Sequence, residues 1–212
     1  KKKQSANPAY YMIDADYIRG GAPWLEILNR KTLKGNGHGL TLCIWPDGYL
    51  QLPRGPWLFR DFVETPRLLF DKKLGRPPRD LENESGVWVV SAAMKAVLEA
   101  VDPAACDFRP CETVLPSGEP GRETWLCTVT RAFVGAVDQD ASEFLLVRQG
   151  VNGLPAYGVY NLTKLQLKQD VIGGAHLFRI AEMAGAVYCD QAMKDACKAA
   201  GVKGVLFRQF TK

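Results

Sequence analysis

The alternation of apolar and polar positions is most regular near the end of the chain. Residues 188–210, YCDQAMKDACKAAGVKGVLFRQF, read as strand end, cap, short amphipathic helix, glycine stop and closing strand. Asp190 suits an N-cap, because its carboxylate accepts from the free N–H groups of the first turn. Met193, Ala196, Cys197 and Ala200 recur at i, i+3, i+4 and i+7, which predicts one buried stripe. Gly201 stands where a left-handed residue ends a helix, and Val205, Leu206 and Phe207 resume as a strand.

The same pattern occurs once earlier. Sliding residues 190–209 back by 99 positions lays them without a gap on residues 91–110, SAAMKAVLEAVDPAACDFRP. Six of the twenty positions are identical: Ala93/Ala192, Met94/Met193, Lys95/Lys194, Ala100/Ala199, Phe108/Phe207 and Arg109/Arg208. Ser91 replaces Asp190 as the cap, and Met94, Val97, Leu98 and Val101 form the stripe. Internal duplication and convergence on common propensities both account for the match. Either way, two similar units frame the second half of the chain.

Elsewhere the pattern is less regular. Residues 9–14 predict a strand. Pro23 opens an expected helix over residues 23–35, with Trp24, Ile27 and Leu28 on one face. Residues 40–45 and 49–52 around Pro46-Asp47-Gly48 predict a β-hairpin. Residues 53–66, PRGPWLFRDFVETP, allow two readings: a loop packing its aromatics on the core, or an exposed aromatic–Arg cluster anchoring an interface. Residues 67–70 are strand-like, and residues 71–81, DKKLGRPPRDL, form a loop. Residues 87–90 are apolar throughout, as in a strand buried on both faces. Residues 106–115 and 123–130 flank a long hairpin-type connection, and residues 137–144 are acidic and turn-prone. Short strands with turns are expected over 151–165, and a strand over 176–180. The fold class is therefore α+β, a mixed or mainly antiparallel sheet carrying the two strand–helix–strand units. Residues 1–80 form an N-terminal α/β portion packed on an 81–212 core, or the whole chain is one domain.

Composition narrows the class. The chain is 47% hydrophobic and 24% charged, ordinary for a globular protein. No apolar run approaches the roughly 20 residues of a membrane span. The basic start, KKKQSANPAYY, lacks the apolar core of a signal peptide, so a cytoplasmic location is expected. The six cysteines lie mostly in apolar patterns, as reduced core thiols do, not as a disulfide framework. Charge is uneven: residues 1–80 carry 14 Lys/Arg against 8 Asp/Glu, residues 81–150 carry 5 against 11, and residues 151–212 carry 8 against 4. The acidic middle suits either a basic partner or a solvated loop surface.

Motifs for catalysis are lacking. His38 and His176 have no neighbours in a known catalytic signature. Cys189 precedes a helix start, where a thiol pKa is depressed, yet a packed core cysteine explains it as well. The spacing of Cys106, Cys111 and Cys127 is not that of a zinc site. No phosphate-binding loop or dinucleotide fingerprint occurs. No catalytic residue, metal or cofactor is expected. Lys72, Lys73, Arg76 and Arg79 could touch phosphate, but without flanking aromatics a solvated loop is the expectation and nucleic acid is not the expected partner.

Taken together, several fragments resemble a bacterial immunity-protein family, the eleventh in the polymorphic-toxin immunity series and formerly a domain of unknown function. They are GVWVVSAAMKAVLEAVDPAACDFRP; WLCTVTRAFVGAVDQDASEF with Val137, Asp138 and Ser142; HLFRI; and VYCDQAMKDACKAAGVKGVLFRQF. They span about residues 86–210, whereas residues 1–80 match loosely, and Asp190 stands where the family has Ser. The resemblance implies a non-catalytic inhibitor that binds a cognate toxin of a contact-dependent or secretion system, frequently a nuclease, and protects the producing cell. The candidate contact residues are the aromatic–Arg cluster Trp57, Phe59, Arg60 and Phe62, and the acids Glu112, Glu119, Glu123, Asp138, Asp140 and Glu143. An enzyme using Cys189 or His176, and a nucleic-acid-binding module using the basic loop, are the alternatives. The pattern does not fix the oligomeric state.

Overall fold

The computed structural model describes residues 9–19, 21–23, 25–33, 43–44, 58–59, 62–84, 87–144, 147–149, 155–157, 162–183 and 186–209. The first part of the chain contributes β1 (Tyr10–Ala15), β2 (Leu25–Ile27), β3 (Cys43–Ile44), β4 (Leu58–Phe59), β5 (Arg67–Phe70) and β6 (Leu81–Glu84). The middle contributes β7 (Val87–Ser91), α1 (Ala92–Val101), β8 (Cys106–Pro110), β9 (Glu112–Val114), β10 (Thr124–Val129), β11 (Ala132–Phe133) and β12 (Glu143–Phe144). There follow β13 (Val147–Gln149), β14 (Pro155–Tyr157), β15 (Leu162–Lys164), α2 (Gln169–Ile172), β16 (Leu177–Ile180), β17 (Val187–Asp190), α3 (Gln191–Ala199) and β18 (Val205–Gln209). The class is α+β, with mixed and antiparallel sheets.

Both expected caps form. The Ser91 side chain accepts from the Met94 N–H and the Asp190 carboxylate from the Met193 N–H, satisfying donors that a helix start leaves free. Gly201 has φ 66°, the left-handed stop that its position predicts. Met94, Val97 and Leu98 of α1 and Met193 and Cys197 of α3 are buried. The two helices pack on each other, and their stripes join strands of both large sheets in one apolar core.

The two sheets repeat one plan. One has the order β6-β7-β10-β8, and the other contains β16-β17-β1-β18 with β11 added at its edge. All pairings within the two four-strand sets are antiparallel. The registers agree too. Ser91 faces Thr124 as Asp190 faces Tyr10, and Pro110 faces Trp125 as Gln209 faces Tyr11. Side-chain contacts follow the same equivalence. Lys95 lies over Phe108 and Trp125, and Lys194 lies over Phe207 and Tyr11. The 99-residue offset thus extends from a helix pattern to two units of equal topology. They differ in connection: β10 follows β8 after the short strand β9, whereas its counterpart β1 precedes the rest of its sheet by more than a hundred positions.

Each unit also holds the other by the loop after its helix. The Asp102 carboxylate, at the end of α1, accepts from the backbone N–H of His176 and Leu177 at the start of β16. In return, the Lys203 carbonyl after α3 accepts from Asp80 and Leu81 at the start of β6, and the Lys203 N–H donates to the Asp80 carboxylate. Gly204 makes this approach possible: at φ 81°, a Cβ there would stand 2.7 Å from Arg79 Cβ.

The N-terminal segment departs from expectation. Residues 25–27 form a strand, not the start of a helix. Leu25 and Ile27 are buried on either side of exposed Glu26, and the three pair with β5. Asn29 then makes a turn by donating to the Thr65 carbonyl and accepting from the Arg67 N–H. The apolar spacing fits both periods, and pairing with β5 selects period two. β3 pairs with β4, while the expected partner, residues 49–52, lies outside the described residues. β10 is buried on both faces.

Met94 and Met193 are both fully buried in the shared core. Met94→Ala and Met193→Ala should each cost about 2–5 kcal/mol, read from urea unfolding; a loss below 1 kcal/mol at either position would contradict the shared-core account. Glu82, 2% exposed, is held bidentate by Arg76 and by the Arg79 N–H. Removing its carboxylate in Glu82→Ala leaves Arg76 without that partner, and a loss of about 3–5 kcal/mol is expected in the same measurement.

Candidate partner-binding surface

β9 runs parallel to β5 and carries Glu112 and Val114 to the turn beyond Leu115. The turn closes through Gly118 N–H to Leu115 carbonyl and Leu115 N–H to Glu119 carbonyl. The Thr113 hydroxyl then donates to the Arg122 carbonyl, so the return strand is fixed before β10 begins. Gly121 lies where a Cβ would come within 3.0 Å of the Phe70 ring, which permits close packing of the turn on β5.

This geometry divides the six candidate acids. Glu112, Glu119 and Glu123 belong to the β9–β10 connection and are exposed. Glu112 pairs with Arg67 at 3.4 Å, and Glu119 accepts from the Ser117 hydroxyl within its own turn. Asp138, Asp140 and Glu143 belong to a different segment, whose backbone is bound to Gln166. There Asp138 accepts from the Ala141 N–H, closing a local turn, while Glu143 faces Lys164 across the β12–β15 pair. Thus the acidic middle is two groups on separate elements.

Of the aromatic–Arg cluster, Phe62 is half-buried against the core beneath β2 and β5. It also lines a cleft of about 440 Å³ with Val63, Glu64, Thr65, Pro66, Arg109 and Pro110. Val63 is 69% exposed at this place. Phe59 lies in β4. Trp57 and Arg60 lie outside the described residues.

Groups with chemical potential are tied into the fold. Cys189 is fully buried, and burial pushes its thiol well above the ordinary range. Burial likewise raises Cys197 to about 11 and Cys111 to about 12. His176 Nδ1 lies 2.7 Å from Oδ2 of Asp190, whose other oxygen caps α3. This contact is the counterpart of the Ser91 hydroxyl bonding to Asp80 in the first unit. It therefore reads as a cap support. In the basic loop, Arg76 is bound to Glu82, and Arg79 is paired with Asp16 and Glu82. Two of the four cations considered for phosphate are thereby neutralised internally. No group of three metal-ligating side chains occurs among the described residues, and no described helix is long and apolar enough to cross a membrane.

A profile of the immunity protein family Imm11 matches residues 24–212. The chain belongs to the Imm11 immunity protein family. A comparison with curated proteins returns no match. The Imm11 match includes both helices but begins after β1, an inner strand of the second sheet between β17 and β18.

One surface of this Imm11 protein escapes local sequence patterns. Phe70, Lys72, Pro77, Pro78, Leu115 and Arg122 line a groove of about 340 Å³. Its two walls are brought together by the β5–β9 pairing, which joins segments over forty positions apart. The Pro-Pro pair in a basic loop was visible in the sequence, but its apposition to Leu115 and Arg122 was not.

Raised thiol values make stability fall at high pH. The unfolded thiols ionise near pH 9, whereas the folded ones resist. Their stabilising contribution is complete below about pH 9 and is lost as pH rises through about 11 to 12. Thermal scans should show this alkaline loss, and Cys197→Ala should flatten it. Site-resolved alkylation at pH 8 should label Cys197 about 100-fold more slowly than a free cysteine; rapid labelling of Cys189 in the native protein would instead reveal an available thiolate.

Proposed function

We propose that this Imm11 protein binds a cognate toxin domain by direct contact and neutralises it, so protecting the cell that makes both. The family membership carries this reading. The placement of the thiols and of His176 supports it, because the candidate reactive groups serve packing and capping. Inhibition by contact needs a rigid surface of complementary shape and charge, and the double-unit scaffold is suited to provide one.

The contact proposed here centres on the β9–β10 connection. Glu112, Glu119 and Glu123 are exposed along it, and acids in such a position accelerate approach to a basic target. The Phe62 cleft supplies apolar area that slows dissociation. Asp138, Asp140 and Glu143, and separately Trp57, Phe59 and Arg60, are the further contact candidates. A nuclease, which presents a basic groove to its substrate, is a toxin class that this charge pattern fits.

Co-expression with the toxin encoded beside it should restore growth, and the two proteins should co-purify. Failure of both would remove the proposal. Reversing Glu112, Glu119 and Glu123 to Lys together should reduce the association rate by about tenfold or more at low salt, with a smaller effect at high salt. An unchanged rate would place the contact elsewhere.

A further inference from the structure

We infer that the groove between the Pro77-Pro78 wall and Leu115 is the receiving site for an acidic, apolar-tipped segment of the toxin. This rests on the toxin-binding reading and adds to it a site and a ligand chemistry. Four apolar side chains line the groove, Phe70, Pro77, Pro78 and Leu115, and its about 340 Å³ suits one large side chain. Pro77 and Pro78 have little rotamer freedom to lose, and Phe70 is held by the close approach of Gly121. The site is therefore largely formed before anything binds.

Arg122 supplies the charge. Its guanidinium lies 5.6 Å from the Phe70 ring centre and donates to the Arg79 carbonyl at 2.6 Å. Asp80 and Glu82 lie near enough to act on its charge, but among the described residues no carboxylate stands within salt-bridge distance of it. This separates it from Arg76 and Arg79 nearby, which are tied to Glu82 and Asp16. A guanidinium fixed on one side, with a cationic Lys72 across the same groove, matches a carboxylate carried next to the apolar side chain. The apolar character continues beyond the groove. Leu74, 42% exposed, shares a turn with Lys72, and Ile18, 65% exposed, lies in the loop whose Ala22 carbonyl accepts from the Arg76 N–H.

The flanking acids do not oppose this assignment. Glu119 and Glu123 lie on the same connection as Arg122, so the rim alternates in sign. An alternating rim selects register: a toxin segment must place its carboxylate on Arg122 and its basic residues on the acids. A uniformly basic surface would meet Arg122 and Lys72 unfavourably.

The experiment uses the full chain and a catalytically inactivated form of the toxin encoded beside it, with dissociation constants measured calorimetrically. Arg122→Glu and Leu115→Glu should each weaken binding by about tenfold or more, and Arg122→Lys should retain part of the affinity. Thermal midpoints within a few degrees of the parent establish that the variants fold. If either glutamate variant unfolds, Arg122→Ser and Pro77→Ser replace them and must show the same loss. Tight binding by the parent with no change in the folded variants would overturn the groove while leaving toxin binding intact. No binding by the parent would overturn toxin binding itself, and the occupant with it. Sedimentation of the chain alone at high concentration completes the test. A dimer abolished by Arg122→Glu would make the occupant a second copy and reject the toxin segment.

Discussion

The two main helices are buried against each other as well as against strands of their own units. α1 and α3 are short, and each offers a narrow apolar stripe that gains stability only from tertiary packing. They meet each other, and the strands of both sheets close around them in one core. The loops that follow the helices then fasten each unit to the first strand of the other. The core and these reciprocal hydrogen bonds explain why the same cap, stripe and Lys–aromatic contacts recur in both halves. A change in one helix is felt by both sheets.

Charge is distributed by the same logic. Arg76, Arg79 and Arg131 are matched to Glu82, Asp16 and Asp102. Glu82 and Asp102 are nearly inaccessible, so they depend on these partners. On the β9–β10 connection Glu119 and Glu123 face solvent, as does Glu112 beside Arg67. The scaffold thus consumes the charges needed to align its segments and leaves others at its surface. Net charge alone conceals that division, because paired and exposed groups count equally.

Local features were legible in the sequence. Ser91 and Asp190 announced helix starts, Gly201 a helix end, and the stripes of α1 and α3 their buried faces, because each depends on neighbours within a few positions. The α+β class followed from them. What failed was nonlocal. The helix expected at residues 23–35 gave way to a strand because β5 offered pairing partners, which no spacing around Pro23 could reveal. The placement of β1 between β17 and β18 was equally hidden. The candidate acids were read as one acidic region, yet contiguity in sequence did not keep residues 112–123 and 138–143 on one element. The Arg122 groove was missed for the same reason, since its walls come from two segments that only the sheet joins.

The position of β1 bears on how the molecule is assembled during synthesis. Its strand, YYMIDA, is made well before its sheet neighbours β17 and β18, which come far later in the chain. At about 5–20 residues per second, that delay is roughly 10–40 s. The first unit has all four of its strands by residue 129 and can order itself meanwhile. β1, apolar and with both edges open, must wait for the second sheet to reach it. The order of the strands therefore makes the second sheet the later of the two to close.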